Sequence, residues 1–382
     1  MKLFDVYPLY NITPVKASGS TITDHNGQEY LDLYGGHAVI SIGHNHPSYT
    51  AAIKDQLDKI GFYSNAVQNP IQEAYAKKLG ALSSCEDYQL FLCNSGAEAN
   101  ENALKMASFI SGKAKVIAFK NSFHGRTSAA VAVTDSPTIQ APINRGHEVM
   151  FLDFEDSEGL EKALAGADIC AVIIESVQGV GGLDQPSTSF FKDIERGCKK
   201  YKVPLIADEV QSGFGRTGKF FGFQQHHITP DLISIAKGMG NGFPIGGLLI
   251  HPKHLGIHGQ LGTTFGGNHL ACRAALAVLE VIEKESLIEN AASMEVYIKQ
   301  QMSLLPDYVT YKGRGLMFGL AFPFEVAALR KDLLFNHHIF TGAAKDKKVL
   351  RILPALNIER KHIDQFFSAL KTALSHKESM LN

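Results

Sequence analysis

Between about residues 90 and 250, short apolar runs alternate with longer amphipathic stretches. This pattern is typical of strands joined by crossover helices in a parallel sheet whose two faces are both covered. Seven segments are short, mostly apolar and often β-branched, and they lie at residues 89–93, 115–119, 149–152, 170–175, 203–207, 232–236 and 247–250. We therefore expect an α/β fold built on a mostly parallel, seven-stranded sheet.

The length of the chain and a change of pattern near residue 290 predict two domains. A single core rarely grows beyond about 250–300 residues, and this chain has 382. Helices are predicted at 48–60, 71–83, 97–111, 187–201, 269–284 and 287–304. A hairpin at 20–30, strands at 315–322 and 349–353 and a final helix from Lys361 complete the pattern. We expect a large domain at 46–285 and a small α+β domain formed by both chain ends, 1–45 and 286–382.

The charge balance argues against two classes of partner. The 37 basic side chains are matched by 38 acidic ones, so the net charge is −1. Such a chain offers no basic field for a nucleic acid or an anionic membrane. No stretch approaches the roughly 18 apolar residues of a membrane span, and the charged start at Met1–Tyr10 lacks the apolar core of a secretory signal. We expect a soluble, cytoplasmic protein.

Cysteine and histidine usage indicates neither a disulfide framework nor a metal site. The five cysteines are an odd number without C-x-x-C spacing, which favours reduced thiols. Histidines cluster at His44 with His46 and again between His251 and His258. Prolines interrupt both clusters, and no carboxylate or thiol set accompanies them. We predict no metal site.

Two charged residues follow separate buried strands. Lys237 follows an apolar run and precedes a glycine-rich segment, and burial there would lower its pKa and free a neutral amine for attack on a carbonyl. Asp208 closes another apolar run, where a buried carboxylate needs a cation or several donors. A lysine that forms a Schiff base and an aspartate that pairs with a pyridinium are what pyridoxal phosphate enzymes require. An ordinary buried ion pair is the alternative interpretation of these two residues.

Other residues in this half of the chain could bind an anion and a flat ring. Ser95 stands after a strand and before a helix, where free backbone N–H groups and a positive dipole end favour a phosphate, although Ser95 could also be only a helix cap. Phe123 offers a ring for stacking on a heterocycle. Arg126 offers a planar guanidinium for a substrate carboxylate.

The ordered motifs resemble those of the class III pyridoxal phosphate aminotransferases. The resemblance rests on Gly35-Gly36, GHNHP at 43–47, NSGAEANE at 94–101, FHGRT at 123–127, ADEVQSGFGRTG at 207–218, AKGMGNGFPIGG at 236–247 and TTFGGN at 263–268. It extends over nearly the whole chain. It implies a fold type I transferase and transfer of the δ-amino group of an N-acylornithine, N-acetylornithine being favoured, to 2-oxoglutarate in arginine biosynthesis. N-succinylornithine, ornithine and 4-aminobutyrate remain alternative donors.

The resemblance also implies roles for individual residues, carried over position by position. Lys237 would bind the cofactor covalently and move the proton, Asp208 would hold the pyridinium, and Gln211 would contact the phenolic oxygen. Phe123 and Val210 would sandwich the ring. The phosphate would lie at Ser95, Gly96 and Ala97, completed by Thr264 of a partner subunit, so a homodimer is implied. Substrate contacts are expected from Arg126, Thr263 and Arg351, of which Arg351 would receive the α-carboxylate of 2-oxoglutarate or glutamate.

One position departs from the family pattern. The segment from Glu175 ends in Val180, where the family usually has a second glutamate that resembles a switch, pairing with the Arg351 equivalent. Without that glutamate, Arg351 lacks a partner when no substrate carboxylate is present, which puts substrate preference in doubt rather than the chemistry.

Rival interpretations remain. The spacing Gly213-x-Gly215-x-x-Gly218 matches a dinucleotide-binding loop and would suggest a nicotinamide dehydrogenase, but no clean helix follows it. A cofactor-free binding protein on the same scaffold is a second rival. Related pyridoxal chemistry, such as decarboxylation, racemisation or aminomutation, is a third.

Overall fold

The computed structural model describes the backbone of residues 1–381 and the side chains of residues 1–375. Over this range fifteen strands form three sheets. In chain order the strands are β1 (Pro14–Ser18), β2 (Thr21–Asp24), β3 (Glu29–Asp32), β4 (Gln89–Cys93), β5 (Lys115–Phe119), β6 (Val149–Leu152), β7 (Ile169–Glu175), β8 (Leu205–Asp208), β9 (Leu232–Ile235), β10 (Gly246–Ile250), β11 (Thr310–Arg314), β12 (Met317–Ala321), β13 (Ile339–Phe340), β14 (Gly342–Ala343) and β15 (Val349–Ile352).

The helical elements range from single turns to six turns. In chain order they are α1 (Gly35–Ala38), α2 (Pro47–Leu57), α3 (Pro70–Ser83), α4 (Gly96–Ser111), α5 (Ser128–Ala132), α6 (Ser157–Ala165), α7 (Thr188–Tyr201), α8 (His269–Lys284), α9 (Leu287–Met302), α10 (Ala327–Phe335) and α11 (Arg360–Leu381). Short 3-10 helices lie at Pro137–Ile139, Pro142–Gly146, Gly222–His226 and Lys237–Met239. No described helix is both long enough and apolar enough to cross a membrane.

The seven-stranded sheet has the order β4-β10-β9-β8-β7-β5-β6. Side chains of the fully buried strand β7 alternate between two apolar clusters: Val172 and Ile174 belong to one, Ala171 and Ile173 to the other. Both faces of the sheet are therefore covered, which explains why its strands are apolar throughout instead of alternating with polar residues.

Charged residues meet at one edge of this sheet. Strands β7, β8 and β9 are parallel neighbours, with Glu175 in register with Asp208 at their carboxyl ends. Lys237 comes two residues after the end of β9. The carboxyl ends of parallel strands are where open α/β sheets bind ligands, so this edge positions the candidate site.

Two four-stranded sheets lie outside the central one, in the orders β1-β2-β3-β13 and β11-β12-β15-β14. In the first, Leu31 pairs in parallel with Ile339, so segments close to the two ends of the chain form one sheet. The second places Arg351 opposite Gly342 and Gly319. Gly342 leaves room for the Tyr34 ring beside the arginine, and Gly319 leaves room for Leu183 and Val349.

The α/β fold and the seven central strands are confirmed. The six helices predicted between residues 48 and 304 are also found, with ends that differ by at most three residues. Strands β1, β11, β13 and β14 and helices α1, α5 and α6 were not predicted. Strand β10 runs antiparallel to both its neighbours. Only the residues from Ala236 to Ile245 join β9 to β10, too few for a crossover helix, so the chain reverses direction.

Candidate active site

A cavity of about 450 Å³ opens at the carboxyl edge of the central sheet. Nine of the twelve residues given cofactor or substrate roles from sequence line it: Ser95, Gly96, Ala97, Phe123, Arg126, Asp208, Val210, Gln211 and Lys237. They come from separate segments between residues 95 and 237, and the sheet brings them together. A volume of this size suits a small organic ligand.

Asp208 is held by the protein on both carboxylate oxygens. Its Oδ2 accepts hydrogen bonds from Asn100 Nδ2 and His124 Nδ1, both at 2.7 Å, and its Oδ1 accepts one from the Val210 backbone at 3.0 Å. Ser234 in turn fixes the amide of Asn100 through a 2.5 Å bond to its oxygen. Only 4% of Asp208 is exposed. This network holds a fixed negative charge on the floor of the cavity.

Lys237 follows the strand next to Asp208. Burial lowers the pKa of the Lys237 ammonium, and the neighbouring carboxylates of Asp208 and Glu175 only partly oppose this effect. The backbone of Lys237 lies in the left-handed region at φ 49°, which is unusual for a residue with a side chain. Such strain is common where a side chain must be aimed at a ligand. The lysine is thus placed to act as an amine nucleophile or a proton carrier.

The N-terminus of α4 forms one wall of the cavity. Ser95 caps the helix, because its hydroxyl accepts a hydrogen bond from the Glu98 backbone at 3.2 Å. Gly96 and Ala97 occupy the first turn, where backbone N–H groups have no partner within the helix. A Cβ atom at Gly96 would lie 2.5 Å from Val210 Cγ1. Glycine therefore lets Val210 pack directly against the first turn of α4. The N–H groups of that turn, which have no partner within the helix, are the kind that bind an anion.

Glu175 connects two walls of the cavity. Its Oε1 accepts a hydrogen bond from the Phe123 backbone at 2.9 Å, and its Oε2 accepts one from the Gly179 backbone at 3.0 Å. Burial raises the pKa of Glu175 to about 7, since His124 and the two backbone N–H groups only partly offset it. Glu175 thereby fixes the loop of Phe123 relative to the loop that contains Gly179 and Val180.

Gln211 extends from the Asp208 loop toward α1. Its Nε2 donates a hydrogen bond to the backbone carbonyl of His37 at 3.1 Å, whereas its buried Oε1 has no hydrogen-bond partner among the described residues. His124 Nε2 is a second buried polar atom without a partner there. Together with the anion-binding wall at Gly96 and the carboxylate at Asp208, these features fit a polar, flat heterocycle that carries a phosphate, as the expectation of pyridoxal phosphate requires.

Arg351 lies behind the cavity wall rather than in it. It is 2% exposed, and its Nη1 donates a hydrogen bond to the Gly179 carbonyl at 2.6 Å. The Arg351 Cζ atom lies 5.9 Å from the centre of the Tyr34 ring. Among the described side chains no carboxylate lies within 4 Å of its guanidinium, and Val180, which lines the cavity, offers none.

Tyr34 precedes a turn with an uncommon backbone. The four residues of α1 have φ values of 55°, 55°, 66° and 64°, so α1 is a left-handed turn that includes His37 and Ala38. A left-handed conformation costs about 1–2 kcal/mol for a residue with a side chain. Asp32 supports the turn, because its Oδ1 accepts hydrogen bonds from the backbones of Tyr34 and Gly35, both at 2.9 Å.

The remaining predicted residues lie at or beyond the rim. Arg126 is exposed at the cavity. Thr263 accepts a hydrogen bond from the Gly266 backbone at 3.1 Å and lies 3.4 Å from Asn94, but it does not line the cavity. Thr264 is exposed and also lies outside the cavity lining of its own chain. The structure thus does not bring Thr263, Thr264 or Arg351 into the cavity of a single chain.

Sequence reasoning assigned no role to Asn100 and His124, the two side chains that hold Asp208. Asn100 had a detectable signal: it is a polar residue on the face of α4 that otherwise buries Ala99, Ala103 and Leu104. A buried amide on an apolar helix face needs a polar partner. His124 carried no comparable signal, because its loop has no regular pattern from which burial could be inferred.

The glycine-rich spacing that suggested a dinucleotide site has another structural basis. Residues 213–218 form turns, and the next regular element is the short 3-10 helix Gly222–His226. Arg216 from this segment is buried and donates hydrogen bonds to the carbonyls of Leu316 and Pro354 at 3.1 and 2.8 Å. The segment therefore ties the central sheet to the C-terminal part of the chain, and the dehydrogenase interpretation is wrong.

Comparison with known sequences adds an independent finding. The family described as aminotransferase class-III matches residues 6–374. The chain is 38% identical over 387 residues to an acetylornithine aminotransferase of Bacillus subtilis (strain 168), covering 99% of each chain. It is 36% identical over 362 residues to an acetylornithine aminotransferase of Methanosarcina mazei, covering 94% of this chain and 90% of the relative.

A solved structure is similar over the same extent. The ornithine aminotransferase of Toxoplasma gondii superposes with a TM-score of 0.89 at 26% sequence identity, covering 98% of this chain and 92% of the other. Its description reports partial occupancy of PLP at the active site. The shared architecture thus extends over nearly the whole of this chain.

Proposed function

This chain belongs to the class-III aminotransferases, and from that premise we propose that it transfers the δ-amino group of N-acetylornithine to 2-oxoglutarate. The products are the semialdehyde of N-acetylornithine and glutamate, in arginine biosynthesis. The relatives named as acetylornithine aminotransferases, at 36–38% identity over at least 94% of the chain, support this donor.

One observation carries the amino-transfer chemistry: Lys237 and Asp208 line the same cavity at adjacent strand ends. The lysine supplies an amine whose pKa burial lowers, and the aspartate supplies a fixed buried negative charge. A binding protein without chemistry has no need for a strained lysine backbone beside a fully bonded carboxylate.

Pyridoxal 5′-phosphate is the cofactor of this family, and when bound it supplies an electron-withdrawing ring that stabilises negative charge on the carbon bearing the amine. Asp208 would hold its ring nitrogen. Phe123 and Val210 would contact the two ring faces, and Gln211 would contact the phenolic oxygen. The first turn of α4, at Ser95, Gly96 and Ala97, would hold its phosphate through backbone N–H groups and the helix dipole.

Lys237 serves as the proton carrier of the reaction. Because burial lowers its pKa, a larger share of the side chain is neutral at pH 7 than for an exposed lysine. The neutral amine would accept a proton from the substrate carbon that bears the nitrogen and would deliver it to the carbon on the other side of that nitrogen. Such positioned proton transfer contributes about 10²- to 10⁴-fold to the rate.

Three residues determine how the two substrates are held. We assign Arg126, exposed at the cavity mouth, and Thr263 to contacts with the amino donor. Arg351 receives the α-carboxylate of 2-oxoglutarate or glutamate, supported by a buried guanidinium that has no carboxylate of its own. A planar guanidinium suits a carboxylate because the two form parallel hydrogen bonds.

The active enzyme in this proposal is a homodimer. Thr264 does not reach the cavity of its own chain, and the aromatic side chains Phe62 and Phe265 near it are 43% and 62% exposed. In a dimer, Thr264 of the partner subunit completes the phosphate site. A Thr264→Ala variant that remains dimeric on size exclusion is then expected to bind pyridoxal phosphate more weakly, and an unchanged affinity would contradict this role.

Further features of the proposal concern the chain organisation and compartment. Residues 46–285 form the large cofactor-binding domain, and residues 1–45 and 286–382 form the small one, a division supported by the parallel pairing of β3 with β13. The cytoplasm is the compartment, supported by five buried cysteines that carry no disulfide.

The second candidate donor is N-succinylornithine, with ornithine and 4-aminobutyrate as further alternatives. The similarity to an ornithine aminotransferase structure keeps ornithine in the set. Val180 gives Arg351 no carboxylate partner while the amino donor is bound. This applies to all four donors alike, so each of them requires another group to cover the arginine.

The visible absorption spectrum of the purified protein tests the proposal. Each of the four donors is added separately, and the band of lysine-bound cofactor is expected to disappear with N-acetylornithine and to return on adding 2-oxoglutarate. A Lys237→Ala variant serves as the control without covalent attachment. If another donor alone removes the band, the substrate assignment is wrong. A colourless protein that cannot be reconstituted would overturn the enzyme assignment for this chain.

A further inference from the structure

Arg351 is a buried cation whose contacts are all uncharged. The Gly179 carbonyl accepts from its Nη1, and its buried Nε has no hydrogen-bond partner among the described residues. A second guanidinium, Arg330, lies close enough to oppose the charge on Arg351, and its Nε also lacks a partner there. Glu175 lies close enough to act on the charge of Arg351, but among the described residues no carboxylate forms an ion pair with either guanidinium. The two cations therefore form a site for an anion from outside the chain.

An aromatic ring lies over this cation. The Tyr34 ring centre is 5.9 Å from Arg351 Cζ, within the range of a cation–π contact. Gly342, which pairs with Arg351 on the neighbouring strand, makes room for the ring. A Cβ atom at Gly342 would lie 2.6 Å from Tyr34 Cε2. The pairing of Gly342 with Arg351 in the sheet thus allows the Tyr34 ring to lie over Arg351.

His37 holds Tyr34 in that position. The Tyr34 hydroxyl lies 2.5 Å from His37 Nδ1 and 2.9 Å from Nε2, so it donates a hydrogen bond to one of the two nitrogens. Partial burial and the nearby charges of Arg351 and Lys237 lower the pKa of His37 to about 4. Burial raises the pKa of Tyr34. Both partners are therefore uncharged at neutral pH.

The backbone that carries this pair is strained and well supported. His37 has φ 66°, in the left-handed region. Gln211 Nε2 donates a hydrogen bond to the His37 carbonyl at 3.1 Å, and Asp32 accepts from the backbones on the other side of the turn. A conformation that requires support from separate segments indicates a position with a role beyond packing.

We propose that Tyr34 and His37 form an uncharged cover that keeps Arg351 dehydrated without neutralising it, and that this cover determines the affinity of the site for dicarboxylate substrates. The inference rests on the proposed function, in which Arg351 receives a substrate carboxylate. A resident carboxylate would compete with the substrate, whereas an aromatic cover does not. A dry guanidinium also attracts a carboxylate more strongly than a hydrated one.

Binding of glutarate, a dicarboxylate that lacks both the keto and the amino group, tests the cover without catalysis. Isothermal titration calorimetry on the holoenzyme measures its dissociation constant in the wild type and in Tyr34→Ala, Tyr34→Phe, His37→Ala and the double variant Tyr34→Phe/His37→Ala. We expect tenfold weaker binding for Tyr34→Ala, because water reaches Arg351. Tyr34→Phe removes the hydroxyl, which contacts both His37 and Arg351, whereas His37→Ala removes only the first of these contacts, and each is expected to weaken binding about threefold.

The double variant shows whether the two residues act as one unit. If His37 acts only through the Tyr34 hydroxyl, the double variant binds glutarate as weakly as Tyr34→Phe alone, and multiplied effects would contradict the pairing. His37→Asn tolerates the left-handed backbone and places an amide oxygen near the position of Nδ1, so it is expected to restore wild-type binding. Failure of this rescue would count against the pair.

Steady-state kinetics distinguish the loss of the cover over Arg351 from general damage to the active site. In Tyr34→Ala we expect KM to rise tenfold for 2-oxoglutarate and less than threefold for N-acetylornithine. Equal increases for both substrates, or unchanged glutarate binding, would overturn the inference. A wild type that turns over no donor but binds glutarate in a Tyr34-dependent way would refute the proposed function and leave the cover intact, so the two failures are distinguishable.

Discussion

At Asp208 both carboxylate oxygens accept hydrogen bonds from the chain itself, whereas Arg351, equally buried, contacts one carbonyl oxygen and an aromatic ring. In the first region the chain itself supplies hydrogen-bond donors to the Asp208 carboxylate, which lacks only the cation that it would hold. The second keeps unused donors on its guanidinium. In the proposed function, the cofactor end of the site would thus be fixed in advance, while Arg351 would obtain its counter-charge from each substrate.

Lys237→Ala removes the amine at the fixed end, and we expect the largest effect from it. Transamination should fall by about 10⁴-fold or more, because the covalent anchor and the proton carrier are lost together. Single-turnover formation of glutamate measures the rate. The exposed Lys219, in the same half of the chain, provides the matched control as Lys219→Ala. A variant at position 237 with more than a hundredth of the wild-type rate would contradict both roles.

Asp208→Asn tests whether the fixed charge itself matters. The substitution keeps the shape but removes the charge, and we expect the turnover number to fall by about 10²- to 10³-fold. Asp231→Asn is a suitable comparison, because Asp231 is also buried and accepts a backbone hydrogen bond, from Leu205 at 2.9 Å, outside the cavity. Equal losses in the two variants would show that folding, not the charge in the cavity, explains the result.

Glu175→Gln examines the link between the two regions by its pH dependence. The folded-state pKa of Glu175 is raised from 4.5 to about 7, so protonation stabilises the fold below pH 4.5 and this contribution disappears as the pH rises through 7. Each pKa unit corresponds to about 1.4 kcal/mol. Urea unfolding of the cofactor-free proteins measures this effect. The free energy of unfolding of the wild type, relative to that of the variant, should fall by about 3 kcal/mol between pH 4.5 and pH 7. A constant difference between the two proteins would refute the raised pKa.

Val180→Glu would make the second region resemble the first by adding a carboxylate near Arg351. We expect KM for 2-oxoglutarate to rise about tenfold, equivalent to about 1.4 kcal/mol, because the new side chain competes with the substrate. Val180→Gln has the same length without the charge and should change KM little. Similar values for the two variants would mean that the carboxylate does not reach the arginine.

The two regions also differ in how far sequence alone could predict them. Asp208 and Lys237 end apolar runs, and parallel strands bring their carboxyl ends to one edge, so their meeting follows from the pattern. His37 lies in a left-handed turn that directly follows Tyr34, and no sequence periodicity predicts such a turn when two of its residues are not glycine. Their contact with Arg351 depends on strand pairs formed between distant segments.

The same limit applies within the fold. Seven central strands were predicted because burial on both faces leaves an apolar signature. The direction of β10 was not, since it depends on the length of the preceding connection rather than on composition. Strand β11, with the sequence TYKGR, is polar and lies at the edge of its sheet, so it lacked the apolar signal.

The parallel pairing of Leu31 with Ile339 has a consequence for the time course of synthesis. On a ribosome that adds about 5–20 residues per second, roughly 15–60 s separate the appearance of these two partners. The segments around Asp208 and Lys237 emerge within that interval, and their strands are able to pair. The turn that carries His37 still lacks the later strands, with Ile339 and Arg351, that lie beside it in the folded protein. A nascent chain would therefore present a nearly finished cofactor pocket well before it acquires a means of recognising its second substrate.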